Sequence, residues 1–510
     1  MRSLGLVLIA ATLFGQPKSV KPEEVHKVYS AFNNQTPGCA VGVAEAGKVV
    51  FRAGYGMADL ERRVPITPDT VFESGSVAKQ FTAATLMLLA QEGKLSLDDP
   101  LSKYLPELKH SPPALTIRHV IHHTSGIREW RPLAFFNGEA EGTRVVSNED
   151  ILRYAAQQKA LNFDPGSTYS YSNTGYNMSA ILVARVLNNG QTFPYYTQAK
   201  IFAPLGMKNS QWRDDFRRLI PARALAYGKR NGEYVNQTPI ENIIGAGGLL
   251  TTVNDLLLWN ENFTHAKVGG PEFVKAQQVP TTLTGGRQIA YAAGLQVSQQ
   301  HGTREVAHSG ATGGYRTWLA RYPDKQLSIA VLCNAAEAVP TSLGRQTAQL
   351  WLGVPSAAPS APADTSSLAG LYRNTRNNMA LEIKSGTPRP PGAELTPIDT
   401  PVKGFRLTDA NDITLFERVE PFQPSAAQLK DYIGAFRSPE SALPLEIRLN
   451  GKGILAIHVG HQEPVEMKPT YKDAFSTSNG AIRFYRDAQG RITSLSAGDG
   501  RVWDFRFTKQ

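Results

Sequence analysis

The sequence lacks both a concentrated run of basic residues and an apolar segment long enough to cross a bilayer. Its net charge is +10, but no basic run is longer than a pair such as Arg62-Arg63 or Arg217-Arg218. Nucleic-acid binding usually needs a concentrated basic patch, so the charge indicates a solvated basic surface and no nucleic-acid partner. The apolar stretch from Leu4 to Phe14 is far shorter than the ~20 residues of a spanning helix, and no later segment is apolar enough.

That N-terminal stretch has the features of a secretory signal peptide. Arg2 precedes it, and its length matches the apolar core of such a peptide. Gly15 before Gln16 fits a cleavage point, and no cysteine follows it, which excludes a lipoprotein route. We therefore expect residues 1–15 to be a signal peptide and the mature chain to be periplasmic or secreted, without a transmembrane segment.

The segment Ser76-Val77-Ala78-Lys79 sets a hydroxyl and an amine one helical turn apart. Phe81 to Ala90 is apolar on nearly every face, and Gly93 stands where a helix would end; a helix without a polar face lies inside a protein. Residues at i and i+3 share a face, so the Lys79 amine can approach the Ser76 hydroxyl. Burial disfavours the ammonium and lowers the lysine pKa, which predicts a serine activated by a neighbouring base.

Two further motifs follow in the chain. Tyr171-Ser172-Asn173 lies on a loop that enters a predicted helix, because an apolar periodicity begins at Tyr176. His308-Ser309-Gly310 opens a segment that continues as a predicted strand hairpin from Tyr315 to Cys333, turning at Pro323-Asp324-Lys325. Each motif alone is a weak signal, but the three in this order are a strong one.

Together these motifs resemble those of the serine β-lactamase and penicillin-binding-protein superfamily, specifically its class C β-lactamase-like branch. That branch includes D,D-carboxypeptidases, D-aminopeptidases and some esterases. The resemblance implies an α/β (α+β) catalytic domain, an antiparallel sheet flanked by helices, with a helical subdomain. It covers roughly residues 22–352 and rests on PGCAVGVAEAGKVVFRAGYG at 37–56, VFESGSVAKQFTA at 71–83, IRHVIHHTSGI at 117–127, PGSTYSYSNTGYNM at 165–178, IFAPLGM at 201–207, GAGGLLTTVNDLLLW at 245–259 and HSGATGGY at 308–315.

The resemblance also implies a role for each motif residue. Ser76 is expected to be the nucleophile, Lys79 its base partner, and Tyr171 the residue that moves the proton from Ser76 to the leaving group. To act as a base, Tyr171 would need neighbouring positive charge to lower its pKa from about 10. The reaction is acylation of Ser76 and hydrolysis by water, without metal or organic cofactor. The implied substrate-binding groups are the side chains of Asn173, His308 and Ser309, the strand at Gly310, and an oxyanion hole of the backbone amides of Ser76 and Ala311.

The histidine at position 308 helps to predict the class of substrate. Many class C β-lactamases carry a lysine at this position, whereas the histidine form resembles the D,D-peptidase and D-aminopeptidase members. Lysine gives a permanent charge, and histidine is only partly charged at neutral pH. The favoured hypothesis is therefore a D,D-peptidase or D-aminopeptidase-like amide hydrolase acting on a small-molecule or peptide substrate. The alternatives are a β-lactamase, an esterase using the same residues, and a non-catalytic penicillin-binding sensor.

Other polar residues in these motifs are interpreted as structural. Thr252 to Asp255 is a near-match to a capping box that opens a helix. His122 and His123 are expected to brace the site. Adjacent histidines point in different directions and no carboxylate stands at i+3 or i+4, so no metal site is predicted there. His458 and His461 are interpreted as a strand and its turn.

The two cysteines, Cys39 and Cys333, fall on predicted strands. In the related fold these strands are neighbours, so a disulfide is possible in an oxidising compartment. Cross-strand disulfide geometry is demanding, and we therefore expect two buried free thiols.

The chain divides into a catalytic and a C-terminal region. At 510 residues a single core would be unusual, and two or three domains are expected. Residues 16–353 form the expected hydrolase domain, closed by a helix from Ser342 to Leu352. Residues 354–367 are rich in proline, alanine and serine, which predicts a semi-rigid linker.

Residues 368–510 consist of short stretches in which apolar and polar residues alternate, and this pattern predicts an all-β region. This region repeats itself at an offset of 64 residues: Gly370-Leu371-Tyr372-Arg373 recurs as Gly434-Ala435-Phe436-Arg437, and Leu381-Glu382-Ile383 as Leu445-Glu446-Ile447. The copies, 368–425 and 429–510, predict two small barrels or one barrel built from both. By resemblance the region is lipocalin-like. One hypothesis is that a loop of it covers the catalytic cleft and restricts substrate size, and the alternative is a passive or envelope-binding appendage.

Overall fold

The computed structural model describes residues 20–109, 112, 114–139, 144–300, 302–354, 366–386, 392–398 and 403–510. The predicted signal peptide, 1–15, lies outside these ranges, as do residues 355–365 of the predicted linker. Within the described ranges, no helix combines the length and the apolar character needed to cross a membrane.

The catalytic region is built on an antiparallel sheet of six strands in the order β10-β11-β12-β13-β1-β2. The predicted hairpin is confirmed: β12 and β13 pair through a turn at Pro323–Lys325. The strands of this region are β1 Cys39–Glu45, β2 Lys48–Tyr55, β3 Met57–Asp59, β4 Val64–Pro65, β5 Phe72–Glu73, β6 Gln211–Trp212, β7 Tyr227–Arg230, β8 Glu233–Asn236, β9 Leu249–Thr251, β10 Gln296–Gln300, β11 Thr303–Thr312, β12 Tyr315–Tyr322 and β13 Leu327–Cys333.

Helices cover both faces of this sheet and form a second, helical part of the catalytic region. The predicted α/β fold with flanking helices is confirmed. The α-helices of the described residues are α1 Pro22–Val28, α2 Ala78–Gln91, α3 Ile117–Ile121, α4 Trp130–Phe136, α5 Asn148–Gln157, α6 Asn173–Leu187, α7 Phe193–Thr197, α8 Ala203–Leu205, α9 Val253–His265, α10 Pro271–Gln277, α11 Pro340–Leu352 and α12 Ala426–Leu429.

Alternation along β1 shows how the two faces are filled. Val41 and Val43 pack in an apolar cluster with Val25 of α1 and Ala348 of α11. Alternate side chains of a strand point to opposite faces, and Ala40 belongs instead to the cluster that contains Val253 and Leu257 of α9. The sheet is therefore a buried middle layer. Strand β11 pairs with β10 only as far as Ala307, so its last residues, 308–312, extend past β10 and are available to line a cleft.

Cys39 and Cys333 form a disulfide, so the expectation of two free thiols is wrong. Strands β1 and β13 are antiparallel neighbours, and their register places Cys39 directly opposite Cys333 with the Cα atoms 4.0 Å apart. Facing positions on adjacent strands bring the two Cβ atoms close, so the register of the two strands provides the geometry that a cross-strand disulfide requires. The cross-link spans a sequence separation of 294 residues.

The C-terminal region contains two antiparallel sheets, one of five strands and one of nine that forms a nearly closed, barrel-like sheet. The all-β prediction is confirmed. The strands are β14 Gly370–Asn374, β15 Ala380–Ile383, β16 Glu394–Ile398, β17 Gly404–Thr408, β18 Ile413–Arg418, β19 Gly434–Arg437, β20 Leu445–Leu449, β21 Leu455–Val459, β22 Val465–Glu466, β23 Lys468–Pro469, β24 Ala474–Thr477, β25 Gly480–Arg486, β26 Ile492–Gly498 and β27 Phe505–Lys509.

The internal repeat corresponds to two hairpins of identical register. In β14 and β15, Gly370 faces Ile383. In β19 and β20, Gly434 faces Ile447. Both isoleucines are buried, as are Tyr372 and Phe436 two residues after each glycine. Each copy therefore begins a separate sheet with the same pattern of inward side chains.

The nine-stranded sheet contacts the catalytic region beside its cleft. The buried Arg128 guanidinium donates to both carboxylate oxygens of Glu440 at 3.0 and 3.1 Å and to the backbone oxygen of Asp504 at 2.8 Å. Phe136 of α4 stacks on Phe505 with ring centres 5.1 Å apart. These contacts set the position of the loop between β26 and β27 relative to the catalytic residues.

Candidate active site

Ser76 lies at the start of the buried helix α2, in the short 3₁₀ turn Gly75–Val77 that leads into it. Its Oγ is 3.0 Å from Nζ of Lys79 and accepts a hydrogen bond of 2.7 Å from the hydroxyl of Tyr171. The three residues that the sequence predicted as catalytic are therefore in direct contact. Helical periodicity brings Lys79 to Ser76, and the loop entering α6 brings Tyr171.

Lys79 is completely buried, and its surroundings favour a neutral amine. Burial holds its pKa well below the usual value near 10.5; the Glu129 carboxylate opposes this, and the positive charges of Arg501 and Arg131 add to it. Nζ donates to Oδ1 of Asn173 and to the backbone oxygen of Ala246, each at 2.8 Å. A neutral amine has two protons, and these two acceptors engage both. Its lone pair then faces the Ser76 hydroxyl, as a base requires.

Tyr171 differs from the sequence-based requirement. Burial raises its pKa, although its hydrogen bond to Ser76 and the nearby Arg501 act in the opposite direction. Neighbouring positive charge is present, but desolvation outweighs it. Tyr171 is therefore protonated and donates a hydrogen bond to Ser76 Oγ, an arrangement that suits an acid better than a base.

Asn173 is held by a carboxylate that the sequence gave no reason to select. Glu129 is buried and accepts from the Asn173 backbone N–H at 2.7 Å and from its side-chain Nδ2 at 3.1 Å. This pairing turns the Asn173 oxygen toward Lys79. Few local features of the sequence indicate Glu129, which follows the HHTSG segment at 122–126 by three residues.

Strand β11 runs closely past the N-terminus of α2. A Cβ at Gly75, where φ is +51°, would lie 2.6 Å from the Ala311 backbone nitrogen. A Cβ at Gly310 would lie 2.0 Å from the Ser74 carbonyl oxygen. Both positions require glycine for this approach. It brings the amides of Ser76 and Ala311 to the same wall of the cleft, where the predicted oxyanion hole requires them.

His308 lies on β11 behind this wall, buried, with Ser309 exposed beside it. Burial and the nearby Lys79 lower the pKa of His308 to about 4, so the ring is neutral at pH 7, rather than partly charged. Its Nδ1 is 2.6 Å from the Ser309 carbonyl oxygen and its Nε2 is 3.0 Å from the Tyr291 hydroxyl. Both ring nitrogens are thus engaged by the protein.

The cleft in front of Ser76 has a volume of about 560 Å³. The predicted residues Ser76, Tyr171, Asn173, His308, Ser309, Gly310 and Ala311 all line it, and Lys79 lies beneath. The charged side chains at its walls were not predicted. They are Arg131, Glu241, Arg316 and Arg501.

A serine hydroxyl held between a buried amine and a tyrosine hydroxyl, at the floor of an open cleft, defines a serine hydrolase. A family model described as Beta-lactamase matches residues 23–350, and the chain belongs to that family. The predicted superfamily is thereby confirmed, and the protein is an enzyme.

Known proteins with similarity over most of the chain include D-aminopeptidases. One from Gluconobacter oxydans is 30% identical over 380 residues, covering 73% of this chain and 70% of that protein. One from Brucella canis is 27% identical over 508 residues, covering 91% and 94%. The solved structure of an octameric penicillin-binding protein homologue from Pyrococcus abyssi covers 96% of this chain and 98% of its own, with a TM-score of 0.57 and 22% identity. That last likeness concerns the fold.

Proposed function

We propose that this serine hydrolase is a D-aminopeptidase-like amide hydrolase that works through an acyl-enzyme on Ser76. Its similarity to the Brucella canis D-aminopeptidase extends over 91% of the chain and includes the C-terminal region. The observation that carries the chemistry is the contact between the Ser76 hydroxyl and a lysine whose two amine protons have other acceptors. The substrate is a small amide or peptide with a D-configured acyl residue.

Acylation follows from these contacts. Lys79 takes the Ser76 proton while Oγ forms a bond to the substrate carbonyl carbon. The oxyanion accepts from the backbone amides of Ser76 and Ala311, a contribution of a few kcal/mol per donor. The carbon–nitrogen bond breaks as Tyr171 gives its proton to the departing amine, and Lys79 restores that proton to Tyr171.

Deacylation uses the same groups in reverse. Water attacks the ester carbon, the Tyr171–Lys79 pair accepts its proton, and the bond from carbon to Ser76 Oγ breaks as Oγ regains a proton. The carboxylic acid product then leaves the cleft. Ser76 Oγ contacts both Lys79 Nζ and the Tyr171 hydroxyl, and the lysine nitrogen is 4.8 Å from the centre of the Tyr171 ring, so every proton in the cycle passes between neighbouring groups.

The neutral His308 favours an amide substrate over an efficient β-lactamase reaction. A lysine at that place would offer a permanent positive charge, and the buried imidazole at pH 7 offers none. The esterase alternative uses the same serine chemistry and is separated by substrate alone.

A substrate panel tests this proposal. Purified protein would be assayed with D-alanine p-nitroanilide, L-alanine p-nitroanilide, p-nitrophenyl acetate and nitrocefin. We expect hydrolysis of the D-anilide at least tenfold faster than of the L-anilide, with slow nitrocefin turnover. Faster nitrocefin hydrolysis, or ester hydrolysis without anilide hydrolysis, would overturn the D-aminopeptidase assignment in favour of the corresponding alternative.

The nucleophile is tested on the same panel. Ser76→Ala is expected to abolish every activity, because no other group can form the acyl-enzyme. Ser478→Ala, on an exposed turn of the C-terminal region, is the matched control and is expected to retain them. Intact-protein mass spectrometry after benzylpenicillin would show an adduct on the wild type alone if β-lactams acylate Ser76, and its lifetime separates turnover from the sensor alternative.

We also propose that the protein is exported. The basic residue and apolar stretch at Arg2 to Phe14 support this, as does the disulfide between Cys39 and Cys333, because disulfides persist in oxidising compartments. Expression in a bacterium followed by cell fractionation is expected to place the protein outside the cytoplasm, cleaved after residue 15. Retention in the cytoplasm at full length would contradict export.

A further inference from the structure

Two histidines are joined by one tyrosine behind the catalytic residues. The Tyr291 hydroxyl is 3.1 Å from His123 Nε2 on one side and 3.0 Å from His308 Nε2 on the other. At one end of this series of hydrogen bonds, the Ser172 backbone N–H donates to His123 Nδ1 at 3.2 Å. At the other end His308 Nδ1 lies 2.6 Å from the Ser309 carbonyl oxygen.

The backbone groups at the two ends determine where the protons lie. An amide N–H can only donate, so His123 Nδ1 is the unprotonated nitrogen and Nε2 carries the hydrogen. A carbonyl can only accept, so His308 carries its hydrogen on Nδ1 and presents a lone pair at Nε2. Tyr291 therefore accepts from His123 and donates to His308. A single arrangement satisfies all four contacts.

All three side chains are buried, which makes this arrangement costly to change. An extra proton on His123 would sit on Nδ1 and face the Ser172 N–H, donor against donor. An extra proton on His308 would sit on Nε2, meet the Tyr291 hydrogen and force that hydroxyl to turn toward Tyr176. Two buried donors that face each other cost free energy. The neighbouring Tyr176 directs its own hydroxyl to the Ile121 carbonyl oxygen. Both histidines are thus held neutral by hydrogen bonding as well as by desolvation.

This series of hydrogen bonds, from His123 through Tyr291 to His308, contacts the catalytic residues at two places. The His123 ring packs on the Tyr171 ring with centres 4.2 Å apart. His308 lies on β11, next to Ser309 and two and three residues before Gly310 and Ala311 at the oxyanion wall. Tyr291 connects these two places, and its contribution was not visible in the sequence, where no motif surrounds it.

We infer that Tyr291 and His123 are positioning residues that hold His308 in its neutral Nδ1–H tautomer and align the Tyr171 ring with the oxyanion strand. In this arrangement His308 offers the substrate neither a positive charge nor a nitrogen lone pair. Its function is to anchor β11 beside Ser76. The inference rests on hydrogen-bond geometry and applies to whichever substrate the hydrolase accepts.

Nuclear magnetic resonance tests the proton positions directly and without substrate. In protein labelled with ¹⁵N-histidine, long-range ¹H–¹⁵N correlation at pH 7 separates protonated from unprotonated ring nitrogens. Spectra of His308→Gln and His123→Gln would assign the two residues. We expect His308 as the Nδ1–H tautomer and His123 as the Nε2–H tautomer. A doubly protonated ring, or His308 protonated at Nε2, would overturn the inference.

Tyr291→Phe tests the positioning role, because it removes only the hydroxyl. We expect His308 to show both tautomers and kcat on the best p-nitroanilide or ester substrate to fall about three- to tenfold with KM little changed, as for the loss of one buried hydrogen bond. Tyr322→Phe is the matched control: its hydroxyl donates to Glu305 at 2.8 Å in the same sheet, and it should leave both readouts unchanged.

An unchanged tautomer and unchanged kcat in Tyr291→Phe would overturn the positioning role. If that variant does not fold, the wild-type spectrum alone decides the proton positions, and Tyr171→Phe then supplies the second measurement. Because His123 packs on that ring without bonding to its hydroxyl, the His123 and His308 tautomers should be retained in Tyr171→Phe. Their loss there would show that the arrangement depends on Tyr171 instead of Tyr291.

Discussion

Arg501 lies over the ring of Tyr171, with its guanidinium carbon 4.8 Å from the ring centre. The arginine belongs to the loop between β26 and β27 of the C-terminal region, 330 positions beyond the tyrosine in the chain. Its Nη1 is 4.0 Å from the Glu129 carboxylate that holds Asn173. The catalytic site is therefore built from both regions, and an arginine remains charged at every working pH.

Removing this charge should impair proton transfer through Tyr171. Arg501 favours the deprotonated form of Tyr171 that arises as its proton passes to the leaving group. Arg501→Gln is expected to lower kcat/KM about tenfold, since a cation over an aromatic ring contributes about 1–2 kcal/mol when partly desolvated. Steady-state kinetics over pH 6–10 would measure it.

Two variants separate charge from shape at this position. Arg501→Lys keeps the positive charge and is expected to recover most of the lost activity. Arg491→Gln removes an exposed arginine that pairs with Asp487 on the same domain, and should have no effect. Equal losses in Arg501→Lys and Arg501→Gln would show that the arginine acts by filling space.

Lys79 should be irreplaceable even by another basic residue. Lys79→Ala removes the base and Lys79→Arg substitutes a group that stays protonated, so each is expected to slow acylation by a factor of about 10² or more. Stopped-flow release of p-nitroaniline would give the acylation rate. Lys94→Ala, whose side chain is partly exposed, is the control. Substantial activity in Lys79→Arg would be incompatible with a neutral amine as base.

The pH dependence of activity follows from the same lysine. Burial holds its pKa well below the usual value near 10.5, so the amine loses its proton at a lower pH than an exposed lysine does and activity should not require strongly alkaline conditions. On lowering the pH, kcat/KM should fall as Lys79 becomes protonated. A rate that rises continuously to pH 10 would indicate a lysine with an ordinary pKa.

The buried ion pair of Arg128 and Glu440 joins the catalytic and C-terminal regions. Breaking it should therefore destabilise the protein and leave Arg501 less well positioned. Glu440→Ala leaves the guanidinium without its carboxylate, and breaking a buried pair costs about 3–5 kcal/mol. We expect a lower midpoint in denaturant unfolding, together with reduced kcat because Arg501 is less well held. Glu446→Ala breaks the exposed pair with Arg448 and should change neither. Full activity and stability in Glu440→Ala would show that the interface is held by other contacts.

The disulfide should contribute to stability. A cross-link across a long stretch of chain restricts the unfolded state, and its removal typically costs about 2–5 kcal/mol. Thiol titration of the denatured protein is expected to find no free thiols before reduction and two afterwards. Cys39→Ser with Cys333→Ser should lower the free energy of unfolding by that amount, and two thiols in unreduced, oxidatively produced protein would contradict the pairing.

Acid should destabilise the fold through its buried histidines. Burial lowers the pKa of His122 from 6.5 to about 4. Between these values the unfolded chain binds a proton that the folded protein does not, so the stability present above pH 6.5 is lost as the pH falls toward 4. His122 alone should account for about 2–3 kcal/mol between pH 7 and 4.5.

Denaturant unfolding at the two pH values measures this. His122→Gln should reduce the difference between pH 7 and pH 4.5, whereas His265→Gln, at an exposed position of α9, should leave it unchanged. An equal pH dependence in wild type and His122→Gln would mean that the histidine is protonated in both states.

Local patterns in the sequence determined a large part of this protein. The spacing of Ser76 and Lys79 is a property of any helix, and the apolar run after them required that helix to be buried. The turn at Pro323–Lys325 identified the central hairpin. The 64-residue repeat marked two hairpins whose registers coincide. The helix signal and each hairpin of the repeat lie within about fifteen consecutive residues, where helix and strand periodicities act. The repeat itself is found by comparing two such segments.

Only the tertiary structure decided which distant residues complete the site. Tyr291 and Arg501 stand in segments without a motif, and each contacts a site residue more than a hundred positions away in the chain, Tyr291 at His123 and Arg501 at Tyr171. The disulfide depended on the register of β1 against β13, which neither strand specifies alone. The neutral states of Lys79 and His308 depended on how completely the fold excludes water from them. Contacts and desolvation of this kind arise from the packing of the whole chain, and for that reason they cannot be predicted from a local sequence pattern.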